Sequence, residues 1–208
     1  TSLLIGAAAC ADGKLYYIAP TQIPNVSREM KTAGFWISRV AKPDTVLMDA
    51  EAIDAFNRHI RENLQLTKDV WEIPDPYDGR ILRKELLTRL TDLKNKNYFD
   101  EDEKVPGEEF FERAAKQMAL ESIEDVLPLK YGFIVRYADQ RFFPMDEGLY
   151  AIAQDIDFDE LQNSALEVAT PVVIFHRSAD KEWLYVASEL SDGWVNADKV
   201  VISEWLDF

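Results

Sequence analysis

The stretch Thr170–Val195, TPVVIFHRSADKEWLYVASELSDGWV, constrains the fold more than any other part of the chain. Pro171 to Phe175 is a β-branched and aromatic run, which predicts a strand. Ser178, Ala179, Asp180 and Lys181 carry turn chemistry, and Trp183 to Val186 resumes the strand pattern, so the two runs form a hairpin. Ser191-Asp192-Gly193 is a second tight turn that delivers Trp194 and Val195 onto a third short strand, and Val200 to Ile202 supplies a fourth. Short strands joined by tight turns predict a small β-barrel.

The chain from Asp49 to Leu129 reads differently. Asp49 and Glu51 open a helix on which Ile53, Phe56, Ile60 and Leu64 recur at helical spacing. Asp78-Gly79 opens a second, lined by Leu82, Leu86, Leu90 and Leu93. Pro106-Gly107-Glu108-Glu109 opens a third, with Phe111, Ala115, Met118 and Ser122 on one face, widened by Phe110 and Ala114. The periodicity changes from helical to alternating after Leu129. Tyr131 to Tyr137 is the first predicted strand, and Asp139 to Tyr150 a long loop. The fold class is therefore α+β: a mainly helical region over residues 11–129, then a small barrel over 130–208.

Several functions are excluded by composition. A net charge of −15 argues against phosphate-backbone binding and against a basic membrane-surface patch. Eight glycines form neither a P-loop nor a dinucleotide fingerprint. One cysteine and two histidines supply no zinc set, so no metal and no cofactor is expected. The acids at Asp100–Glu103 lack EF-hand spacing and read as a solvated loop. A thiol peptidase needs a thiolate beside an imidazole. Here Cys10 stands alone, followed by Ala11-Asp12, and no catalytic residue is assigned. His59 reads as a surface histidine, and His176 sits at the end of the first hairpin strand. The binding candidates are the aromatics Phe142, Phe143, Trp183, Tyr185 and Trp194, with Arg141 to pair a carboxylate. These rings either form a shallow groove or fill the core of the barrel.

In order, Asp159, Gln162, Ser164, Thr170-Pro171-Val172, His176 to Asp180, Trp183 and Gly193-Trp194-Val195 resemble the first bacterial SH3 (SH3b) domain of NlpC-type cell-wall cysteine peptidases. Tyr131 to Arg136, with Ala138-Asp139, Arg141 and Pro144, fits the start of the same domain. Phe35-Trp36-Ile37, Val46-Leu47, Ile53, Phe56 and Asn57 are similar to the clip-like region that precedes it. The resemblance runs from about Tyr16 onward. It implies an SH3-like barrel with His176 as a hydrogen-bonding group at its turn, partnered by Ser178 or Asp180, a role beside a catalytic domain that follows in cis, and the peptidoglycan stem peptide as partner. The family's Asp-Cys-Ser motif is missing, so the resemblance implies a non-catalytic region of an exported, periplasmic or envelope endopeptidase. The alternative is a stand-alone envelope lipoprotein acting as a binding or adaptor module. Residues 1–10, TSLLIGAAAC, match the end of a lipoprotein signal peptide with Cys10 as the lipidated residue, or else an N-terminal strand with a free cysteine. Lipid at Cys10 would be the sole link to a membrane.

Overall fold

A computed structural model describes residues 22–203, together with the backbone of the short strands β1 (Ala7–Ala9) and β2 (Leu15–Tyr17). These two strands pair antiparallel. Cys10 lies outside the described residues, and with it the lipidation reading. The chain divides into two compact units, Thr1–Ala55 and Phe56–Phe208.

In the first unit, helix α1 (Ala33–Ile37) is a single turn capped by Thr32, whose hydroxyl accepts from Phe35 N. Trp36 Nε1 donates to Met30 O at 2.7 Å, and the Arg39 guanidinium stacks on the Phe35 ring. Helix α2 (Ala50–Glu62) crosses the junction between the units. Asp49 begins it as the sequence predicts, accepting from Ala52 N at 2.9 Å. Its apolar positions are not core, however: Ile53, Phe56 and Leu64 are exposed, and no α2 residue is buried. Helical periodicity reports that a face is amphipathic, not that anything covers it.

The second unit holds the rest. The short strand β3 (Tyr77–Asp78) leads into helix α3 (Gly79–Lys94), which Asp78 caps by accepting from Arg80 N. A Cβ on Gly79 would meet Glu124 O at 1.9 Å, so only glycine lets the helix start against the neighbouring backbone. Leu82, Leu86 and Leu93 are buried and Leu90 partly so, which gives α3 one apolar stripe. Helix α4 (Glu108–Met118) buries Phe110, Phe111, Ala114 and Met118 and ends at Ala119, which is left-handed at φ 48°. Ser122, expected on this stripe, lies past the helix end and is exposed.

The strands that follow are β4 (Val126–Leu127), which pairs with β3, then β5 (Lys130–Ile134), β6 (Ala138–Arg141), β7 (Gln162–Leu166), β8 (Pro171–Arg177), β9 (Trp183–Ala187), β10 (Asp192–Asn196) and β11 (Val200–Ser203). β5 to β11 form one antiparallel sheet in the order β11-β5-β8-β9-β10-β6-β7. β6 corrects the expected long loop, which starts only after Arg141. A strand centred on Gln140 shows little apolar alternation because the buried Gln140 is polar: it donates from Nε2 to Val186 O and accepts from Ser191.

The sheet is curled. Leu166 near one edge and Ile134 and Val200 near the other pack into a single aliphatic core with Val172, Ile174, Leu184, Val186 and Val195. Strand periodicity then decides everything on the outside. In β9, Leu184 and Val186 point into this barrel core, whereas Trp183 and Tyr185 point out and pack with Trp194 against α3, α4 and Phe143. The helices are therefore the cover of the barrel's aromatic outer face. The change of periodicity at Leu129 is a change of secondary structure within this unit.

Leu86 is fully buried at the helix–barrel interface. Leu86→Ala is expected to cost about 3 kcal/mol through lost burial and a residual cavity. A urea titration followed by tryptophan fluorescence measures this directly.

Candidate functional site

A cavity of about 930 Å³ opens between α3 and the sheet, its walls including Tyr77, Arg89, Phe142, Phe175, Tyr185 and Asp192. Its floor is organised around Asp192, at the start of β10. One carboxylate oxygen accepts from Lys68 Nζ at 2.5 Å, and the other from Arg89 Nη2 at 3.0 Å and from the Tyr185 hydroxyl. Arg89 Nη1 also donates to the Tyr185 oxygen at 3.1 Å, and Asn163 Nδ2 donates to Asp192 O at 2.9 Å. These contacts join the segment before α3, the helix itself and two strands through one side chain. The Arg89 guanidinium lies 5.1 Å from the Phe142 ring centroid, so its charge is both paired and stacked.

The electrostatics follow from this packing. Burial pushes the Asp192 carboxyl up, but its bonds to Lys68 and Tyr185 and the charges of Lys68 and Arg89 outweigh that and hold it at about 2. Burial, then the neighbouring Asp192 charge, pushes the Tyr185 hydroxyl far above its ordinary value, so it stays a neutral donor. Burial lowers the Arg89 pKa, yet Tyr185 and Asp192 more than compensate, and the guanidinium stays charged.

The candidate residues fall into two groups. Phe142 and Tyr185 line the cavity. The others do not form the expected groove. Phe143 and Trp194 are fully buried and Trp183 nearly so, and a ring without exposed surface offers none to a ligand. Nor do the tryptophans fill the barrel interior, the other expectation, because their strand positions point outward under the helices. Arg141 is also buried. It bonds Asp159 at 2.8 Å and donates to Met145 O and Glu147 O, while Asp159 accepts from Leu149 N and Leu161 N. Its role is to clamp both ends of the 142–161 segment.

His176 corrects another expectation. The β8–β9 register shifts between Ile174 and His176, a bulge that turns His176 from the barrel interior to the helix side. There Nε2 donates to Met118 O at 3.0 Å, and the ring meets Trp194 edge-on. Burial lowers its pKa, opposed by its bonds to the Met118 and Ala119 backbone. Ser178 pairs with Asp180 instead. His59 lies within 3.2 Å of Asn63 Oδ1 one turn on, at the surface. Among the described residues no group of histidine, cysteine and carboxylate side chains is placed to hold a metal ion. In the Asp100 loop the carboxylate accepts from Asp102 N and Lys104 N. Sequence reasoning missed Lys68, Arg89 and Asp192. Arg89 and Asp192 are 103 positions apart, and no local spacing links them.

Because the Asp192 pKa is depressed in the folded state, its contribution to stability is complete above the ordinary value of 3.8 and is lost as pH falls through about 2. Between pH 6 and pH 3 the loss is expected to be about 1 kcal/mol. Asp192→Asn should start about 2 kcal/mol less stable at pH 7 and show a flatter slope over that window. Urea midpoints of both proteins across the range measure the difference.

A family model described as SH3 domain (SH3b1 type) matches residues 149–196, which run from within the Arg141-clamped segment through β10. A solved structure of a novel NlpC/P60 endopeptidase from Photobacterium damselae subsp. piscicida superposes with a TM-score of 0.54 at 20% identity, over 60% of this chain and 29% of that one. At that identity the likeness is one of fold, and the matched region is under a third of the other protein's length. No curated protein matches the chain. The resemblance read from the sequence is the one that these two comparisons return: the chain carries an SH3 domain of the SH3b1 type, on a fold shared with part of an NlpC/P60 endopeptidase.

Proposed function

We propose that this chain is the non-catalytic region of an exported NlpC-type peptidoglycan endopeptidase, one that braces a catalytic domain and helps to position the stem peptide. The observation that carries the reading is the SH3b1 match in a chain of which 60% superposes on part of an NlpC/P60 endopeptidase. Enzymes of this type cleave between D-glutamate and a diamino acid, and in this reading the hydrolytic thiol comes from a domain outside the chain. The sequence has one cysteine, Cys10, outside any Asp-Cys-Ser motif. Of the histidines, His176 is committed to the Met118 carbonyl under a helix, and His59 lies on the α2 surface. His176 is thus not free to activate a nucleophile within the fold. Envelope location, through lipid on Cys10, belongs to the same proposal.

Incubation with purified sacculi stripped of anionic polymers tests it. The chain should sediment with the sacculi and release no peptide fragments detectable by mass spectrometry, whereas the protein extended by its catalytic domain releases them. Fragments released by the chain alone, or a chain left wholly in the supernatant, would overturn the reading.

A further inference from the structure

The cavity between α3 and the sheet has a charge pattern that the accessory role does not use. Its two floor cations, Lys68 and Arg89, are both bonded to Asp192. Five other carboxylates line it against two further cations, Lys84 and Lys96; Asp69 is paired with Arg61, and the other four are Glu72, Glu85, Asp92 and Glu160. None of these four acids makes a side-chain hydrogen bond or ion pair among the described residues. Glu85 stands one helical turn before Arg89, on the side of α3 that faces the cavity. Although it keeps solvent access, the surrounding protein, and then the Asp192 charge, hold its carboxyl above the ordinary value against the opposing charges of Arg89 and Lys68. The wall beside it is aromatic: the Tyr77 and Phe175 rings meet edge to face at 5.0 Å, and Phe175 and Tyr185 at 6.3 Å. Ile73, Pro74 and Ile81 complete an apolar lining.

From this we infer that the cavity binds a primary ammonium group carried on an aliphatic stem, with Glu85 as the ion-pairing carboxylate and Tyr77 and Phe175 as the wall against which the stem packs. An anionic head group finds the two floor cations already taken, and the four unpaired acids outnumber Lys84 and Lys96. A cation meets an unpaired carboxylate and the negative faces of rings, the two surfaces that attract it most. The apolar lining adds affinity in proportion to the methylenes it covers. A lysine-like or diamino side chain has this shape. The inference stands on the cavity alone and holds whether or not the endopeptidase reading does.

Calorimetric titration of the full chain with hexylammonium, hexanol and hexanoate tests it. Hexylammonium should bind saturably at one site, with hexanol and hexanoate weaker by about tenfold or more. Glu85→Gln should weaken hexylammonium by about tenfold and leave hexanol unchanged. Glu85 makes no described bond that folding needs, and an unchanged urea midpoint verifies that the variant is intact. Hexanoate binding as tightly as hexylammonium, an unaffected Glu85→Gln, or no saturable heat up to about 10 mM amine would each overturn the assignment.

Discussion

Strand β9 is buried on both faces, and the rest of the second unit is arranged to make that possible. Its even-numbered residues close an aliphatic barrel, while its odd-numbered residues put a tryptophan and a tyrosine on the outside. A small barrel with bare rings on its surface would present a large apolar patch to water. Helices α3 and α4 remove that patch by laying Leu82, Leu86, Phe111 and Met118 over it. The helices and the barrel thus complete each other: neither apolar surface is covered without the other.

Polar contacts set how the two layers meet. Apolar packing is non-directional, and it leaves a helix free to slide over a sheet. Asp192 removes that freedom by receiving Lys68, Arg89 and Tyr185 at one carboxylate. His176 does the same at the other helix, fixing the end of α4 through the Met118 carbonyl. Gly193 allows a third close approach, because a Cβ there would lie 2.7 Å from Arg141 O. The cavity that remains beside α3 is where the helix and the strands are held apart by rings and charged groups.

Much of this arrangement is legible in the residues themselves. The N-caps Asp49 and Asp78, the leucine stripe of α3 and the hairpin of β8 and β9 all follow from local pattern, and the structure has them where the pattern puts them. What was not legible depends on contacts that no window contains. Alternation puts His176 beside Ile174, and one bulge residue reverses it. The outward tryptophans look the same in sequence whether a ligand or a helix covers them. Phe142 and Tyr185 were visible as aromatics, but the charges beside them come from segments far along the chain.

The Arg141 clamp has a consequence for the segment it closes. Asp159 is tied at one end and the Met145 and Glu147 carbonyls at the other, with Phe99 and Tyr150 bridged between their backbones. The tip beyond, where Ile152, Ile156 and Phe158 lie open to solvent, is held by its roots and contributes little to the core. Its length and composition are therefore free to drift without unfolding the barrel, which makes it the natural place for relatives of this chain to diverge and for a foreign peptide to be grafted.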